Sequence, residues 1–236
     1  MTVRALVLWD VDHTLIDNGG MSKATYAKAF TELCGHAPEH PAETDGRTDP
    51  MIMANMLERN GVSPTPEMIS EIPAALEAAL KANFSELQKR GHALPGAHDV
   101  LNLADKVDGL AQSALTGNII ANAKLKLDAF DLSEKIDWEI GGFGSDSDVR
   151  SDLVDVAIGR ANRKFGVDLP KSAVVLVGDT LRDVEAGVTS GVRVIGVATG
   201  KFSTDQLVDA GADVAYESMS DAHRVLETVK QFTGLG

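Results

Sequence analysis

Residues 3–15 read VRALVLWDVDHTL, and this stretch decides the fold. A short, nearly continuous apolar run at 3–9 stops at an acidic turn, Asp10-Val11-Asp12. Such a run suits a strand covered on both faces, as in a parallel sheet. In a parallel sheet, reactive groups gather beyond the carboxyl ends of the strands. Carboxylates at i and i+2 on extended backbone point the same way. Asp10 and Asp12 are therefore expected on one side of the turn, one able to attack an electrophile while the other handles protons. An isolated D-x-D pair would be read as a solvated turn; the apolar strand in front of it changes that reading.

Further strands are expected at 110–115, 137–143, 173–177 and 193–198, with a short edge strand at 213–216. Helical stretches lie between them, for example 151–165 and 204–210. The alternation predicts an α/β fold with a Rossmann-like parallel sheet. One region departs from it. Between about 22 and 89 the periodicity is helical, at 23–33, 50–60 and along one stretch at 66–90, with Pro and Gly punctuation at 35–41 and 61–66. It reads as a small all-helical unit inserted after the first strand. The division is 1–16 and 91–236 for the α/β core and 17–90 for the helical unit, with 17–20 and 91–96 as hinges.

Two other strand ends carry candidate chemistry. Thr116-Gly117-Asn118 closes the second strand, where a hydroxyl and free amides can hold phosphate oxygens; helix capping by Thr116 or Asn118 is the plainer alternative. Gly178-Asp179-Thr180-Leu181-Arg182-Asp183 closes the strand at 173–177. Asp179 falls at the same sheet edge as Asp10, and oxygen ligands of this kind suit Mg²⁺. Asp183 sits in a first helical turn, where an acid is favoured anyway.

Composition narrows the classes. The 236 residues are 44% hydrophobic and 24% charged, an ordinary globular balance. The formal net charge of −13 disfavours nucleic acid and anionic membranes as partners. The N-terminal apolar run is too short for a membrane span and lacks a signal-peptide pattern, and no later stretch is long and apolar enough. With Cys34 the single cysteine, no disulfide framework is expected, and a reducing cytoplasm fits. His36 and His40 lie among prolines and offer too few ligands for zinc. Met51, Met53 and Met56 are expected to pack inside the helical unit. The run Gly141-Gly142-Phe143-Gly144 matches neither a dinucleotide fingerprint nor a P-loop.

Taken in order, D-V-D-H-T-L, A-L-T-G-N and G-D-T-L-R-D-V-E-A-G resemble the haloacid dehalogenase superfamily in its phosphatase branch, with later segments similar to phosphoglycolate phosphatase-type members. The resemblance implies that Asp10 attacks phosphorus and that Asp12 protonates the leaving alcohol and then activates water. It implies Mg²⁺ held by Asp10, the backbone carbonyl of Asp12 and Asp179, with Asp183 in support. Thr116 and the amides of Gly117 and Asn118 would hold the phosphoryl group. The helical unit would be a cap whose loop, Gly46-Arg47-Thr48-Asp49, reads the leaving group, with Arg47 facing a carboxylate or second anion. Two departures stand out. His13 occupies a position where the family commonly has glycine, and local packing is the expected role. No Lys-Pro pair precedes the last motif; Arg150 is the expected phosphate-binding cation, with Lys124 and Lys126 as alternatives and a surface pair with Asp146 or Asp148 as the plain one. The implied partner is a small phosphorylated metabolite, and the chain a monomer or homodimer. A mutase of the beta-phosphoglucomutase type and a non-catalytic binding protein on the same fold remain the alternatives.

Overall fold

The computed structural model describes residues 2–44 and 47–235. The chain runs through β1 (Ala5–Trp9) and the acidic turn into a short β2 (Ile16–Asp17). It then forms α1 (Met21–Cys34), α2 (Asp49–Arg59), α3 (Pro66–Ala82) and α4 (Phe84–Arg90), and returns in β3 (His92–Ala93). From there α5 (Ala97–Ala104), β4 (Leu110–Thr116), α6 (Ile120–Asp128) and β5 (Gly142–Phe143) follow. The last third alternates α7 (Arg150–Phe165), β6 (Val174–Gly178), α8 (Leu181–Ser190), β7 (Arg193–Val197), α9 (Thr204–Asp209), β8 (Val214–Tyr216) and α10 (Ala222–Thr233).

Among the described residues, six strands form one sheet in the order β5-β4-β1-β6-β7-β8, every neighbouring pair parallel. The central strand β1 is wholly buried, and its side chains alternate between two layers. Val7 and Trp9 join a cluster with α5 and α10; Leu6 and Leu8 join one with α7 and α8. Each such side chain contributes about 1.5–3 kcal/mol by leaving water. A charge at Leu8 would therefore cost both that burial and its own desolvation. This is the α/β architecture expected from the apolar runs.

The helical unit has its own core, built on Phe30, Met53, Met56, Leu57 and Leu76. Its chain crossings lie side by side: β2 and β3 pair antiparallel, Ile16 opposite Ala93 and Asp17 opposite His92. These two short strands were not legible in the sequence. Gly19 and Gly96 adopt φ of 60° and 86° there, and a side chain at either would overlap backbone, of Arg90 and Met219 respectively.

Three expectations need correction. Strand structure at 137–143 is confined to Gly142 and Phe143. Upstream, Ile140 N–H bonds to Asp137 O in a turn, and Trp138 stacks on Phe143. The helical stretch at 66–90 is two helices broken at Asn83, whose backbone (φ −102°, ψ 7°) leaves the helical range. Met53 and Met56 are buried, but Met51 is 37% exposed. Among the described residues, no helix is long and apolar enough to cross a membrane.

Candidate active site

The order β4-β1-β6 sets the three motif-bearing strand ends next to one another. Asp10 follows β1 and is tied to the neighbouring strand by its N–H to Val177 O, 2.9 Å. Thr116 ends β4 and Asp179 follows β6. All three line a cavity of about 270 Å³ together with Asp12, Arg47 and Arg150.

One wall is a carboxylate cluster. Oxygens of Asp10, Asp179 and Asp183 lie within 4.8 Å of one another, and all three residues are buried. Arg150, at the first turn of α7, donates from one nitrogen to Asp10 Oδ1 (2.8 Å) and to Asp183 Oδ1 (2.5 Å). The plain alternative was a surface pair with Asp146 or Asp148; Arg150 instead pairs with the buried Asp10 and Asp183, and Asp146 pairs with Arg160. Asp183 Oδ2 accepts from the Thr180 N–H (3.0 Å) and hydroxyl (2.6 Å), closing a capping box on α8. Asp183 thus caps its helix with one oxygen and holds Arg150 with the other.

Burial pushes the Asp10 carboxyl up to about 7; Asp183's charge adds to the rise, Arg150 opposes it, and Asp12 adds a little more. Asp179 is raised well above its ordinary value, first by burial and then by Asp10 and Asp183. Burial works against the Arg150 charge, but the two carboxylates outweigh it and raise its value. Three carboxylates against one guanidinium leave two negative charges if all ionise, an all-oxygen set that suits a hard divalent cation such as Mg²⁺. Gly200 belongs to this fit: a Cβ there would overlap Asp179 Oδ2. Thr14, fully buried, donates to Asp179 Oδ1 at 3.5 Å.

Asp12 shares the cavity but not the cluster. Its carboxylate is turned to Asn18 Nδ2 (2.6 Å), Asn118 Nδ2 (2.8 Å) and Lys126 Nζ (2.6 Å). Burial alone would raise it; Lys126's charge and hydrogen bond, with the two amides, outweigh that and hold it below the ordinary carboxylate value. The i, i+2 spacing placed Asp10 and Asp12 on one cavity but did not show that Asp183, not Asp12, completes the acidic triplet. Lys126 is buried against Asp12, while Lys124 is exposed.

Thr116 is 1% exposed, and its hydroxyl accepts from the Asn118 amide N–H (3.3 Å) and side chain (2.8 Å). The glycine run set aside in the sequence is the floor of this loop: Gly144 N–H bonds to Asn118 O at 2.8 Å, and a Cβ on Gly144 would overlap the Gly117 carbonyl. The helical unit docks here through Asp49, a residue the sequence motif contained but gave no task. Asp49 N–H bonds to Gly117 O (2.7 Å), and its carboxylate accepts from Ile119 N–H (2.9 Å) and the Tyr26 hydroxyl (2.5 Å). Thr48 reaches Asp148 Oδ1 at 3.3 Å. Arg47 lines the cavity, and Glu43 pairs with Arg59 rather than with it; Gly46 and Asp45 lie outside the described residues. His13 does not pack locally. It is exposed, lines the cavity and has φ 60°, the left-handed region that explains why glycine is common there. Its carbonyl accepts from the Thr199 hydroxyl.

A family model described as haloacid dehalogenase-like hydrolase matches residues 7–187, and one described as HAD-hydrolase-like matches 151–228. The chain is similar to a protein named "Probable phosphatase IndB" from Dickeya dadantii (strain 3937), 27% identical over 235 residues, covering 95% of this chain and 96% of that one. Among solved structures it is similar to a hydrolase from Pseudomonas syringae, with a TM-score of 0.68 at 23% identity, covering 97% and 99% of the two chains. It is also similar to CbbY from Rhodobacter sphaeroides in complex with phosphate, with a TM-score of 0.68 at 18% identity, covering 94% and 96%.

Proposed function

Since the chain belongs to the haloacid dehalogenase-like hydrolases, we propose that it hydrolyses a small phosphomonoester through an aspartyl phosphate on Asp10. The observation that carries this reading is the pairing of two unlike aspartates on one cavity: Asp10 against acids and Arg150, Asp12 against Lys126 and two amides.

Asp10 attacks phosphorus as the bond to the leaving oxygen breaks, and Asp12 gives that oxygen its proton. Water then attacks the aspartyl phosphate, its proton passes to Asp12, and the bond between Asp10 and phosphorus breaks. Thr116 with the amides of Gly117 and Asn118 binds the phosphoryl oxygens, and Arg150 adds a guanidinium that forks onto them. Mg²⁺, held by Asp10, Asp179 and the Asp12 carbonyl with Asp183 in support, would supply the charge that lets a carboxylate meet a phosphate dianion. Residues 17–90 are taken as the cap and 1–16 with 91–236 as the catalytic core. The cap brings Arg47 to the leaving-group side and excludes water.

The test is phosphate release from a panel of small phosphomonoesters with and without Mg²⁺. Wild type is expected to turn over at least one ester only with the metal, and Asp10→Asn to lose release while keeping its circular dichroism. Full turnover by Asp10→Asn removes the nucleophile assignment. Interconversion of sugar phosphates without net phosphate release would favour the mutase alternative.

A further inference from the structure

Lys126 is 3% exposed, yet it has no task in the chemistry above. Its ammonium donates to Asp12 Oδ2 (2.6 Å), Asn118 Oδ1 (2.7 Å) and Ser22 Oγ (3.0 Å), which uses all three protons. Asp12, Asn118 and Ser22 line the cavity and Lys126 does not. The lysine stands behind the acid, not beside the substrate. We propose that Lys126 is a positioning residue: it fixes the carboxylate of Asp12 so that Oδ1 carries the proton in both half-reactions, and it joins that placement to the seating of α1 through Ser22.

The assignment of Oδ1 comes from counting lone pairs. A carboxylate has about four acceptor sites. Among the described residues Oδ2 accepts from Lys126 and Asn118, and Oδ1 from Asn18 alone. The open site is on Oδ1. In the first half-reaction the Oδ1–H bond breaks as the leaving oxygen gains the proton; in the second, water's proton returns to Oδ1. Lys126 keeps its own protons throughout. Asn18 donates both to Asp12 Oδ1 and to Ser22 Oγ (3.1 Å), so the ring of contacts is closed: Asp12, Lys126, Ser22, Asn18. Ser22 belongs to α1 and Lys126 to α6, so a shift of α1 away from α6 would break the ring on the side of the acid. Packing alone does not call for a lysine. A buried ion pair is weak support for stability, and an apolar side chain of similar volume fills such a place as well.

This inference rests on the phosphatase reading, so the experiment separates the two. Lys126→Met is compared with wild type on an alkyl phosphomonoester that wild type hydrolyses, and on p-nitrophenyl phosphate, whose leaving group needs no proton. Loss of a placed acid costs about 10²–10⁴-fold. The expected result is a kcat loss of about 10²-fold on the alkyl ester with KM nearly unchanged. On p-nitrophenyl phosphate the first turnover should stay within about tenfold, followed by slow release as the aspartyl phosphate accumulates. In an Asp12→Asn background, Lys126→Met should add no further loss. Equal losses in the first turnover on both esters, or additive losses with Asp12→Asn, overturn the proposal. If the methionine variant does not fold, Lys126→Arg keeps the charge but replaces a compact three-donor head with a planar fork. It is expected to show the same split between esters, and undiminished turnover of both overturns the proposal. If wild type releases no phosphate from any ester, the phosphatase reading fails instead.

Discussion

Asp10 and Asp12 are separated by one residue, yet their surroundings push them in opposite directions. Asp10 meets burial, two further carboxylates and one guanidinium, and its carboxyl is raised to about 7. Asp12 meets a buried ammonium and two amide donors, and is held below the ordinary value. The same side chain is made to want a cation on one side of the cavity and is already given one on the other. The acidic wall gathers three carboxylates around one guanidinium; the Lys126 wall matches one carboxylate with one ammonium.

The most severe way to break this contrast is at Arg150. Arg150→Met leaves Asp10 and Asp183 facing each other without their counter-charge. Removing one partner of a buried pair costs about 3–5 kcal/mol, so a marked fall in Tm is expected without metal. Phosphate release should fall by at least 10²-fold, about 3 kcal/mol in transition-state terms. Near-normal kinetics would take Arg150 out of the phosphate site.

The second effect is in pH. Asp10 and Asp179 have native values raised above the unfolded 3.8. Each therefore favours folding fully below about 4, and that favour is lost as pH rises through about 7 for Asp10, at about 1.4 kcal/mol per unit of difference. Asp12 has the opposite sign: its contribution is present above 3.8 and lost as pH falls through its depressed native value. Metal-stripped protein should thus lose Tm from pH 5 to pH 8, and Mg²⁺ should raise Tm more at pH 8 than at pH 5. Thermal melts at the two pH values with and without Mg²⁺ check this; an Mg²⁺ effect larger at pH 5 would contradict the acidic-wall account.

The smallest effect is expected at His13. His13 lines the same cavity and sits at φ 60°. A non-glycine residue there carries strain of order 1–3 kcal/mol, part of which glycine gives back through its larger unfolded freedom, about 0.5–1 kcal/mol. His13→Gly is expected to raise stability by about 1 kcal/mol or less, read in urea melts. A clear destabilisation would mean that the imidazole makes contacts that outweigh the strain.

The two walls were unequally legible from sequence. The strand ends carrying Asp10, Thr116 and Asp179 could be read because short buried apolar runs are local signals, and a parallel sheet brings their ends together. Arg150 was found by its place at the start of a helix. The pairing of Asp12 with Lys126 could not be read: the lysine is 114 residues away, and the sequence offered it only as an alternative phosphate-binding cation. Asp183 was read as a cap or a metal support, and its hold on Arg150 across 33 residues was not visible. Glycines at 141–144 looked like a failed nucleotide motif because their task, letting Gly117 and Leu153 come close, belongs to packing rather than to spacing. The strand expected over 137–143 is two residues long because the chain turns at Asp137–Ile140 before it.

The pairing of Ile16 with Ala93 has a consequence for how such a chain can be altered. Paired residues on antiparallel strands sit about 5 Å apart. Everything from 17 to 92 is thus a loop whose two ends are already neighbours, and its removal leaves a gap that a tight turn of a few residues spans. Exchange of that whole segment for a shorter or longer one asks little of the sheet, but it takes with it Asn18 and Ser22, so a replacement has to restore their contacts with Asp12 and Lys126.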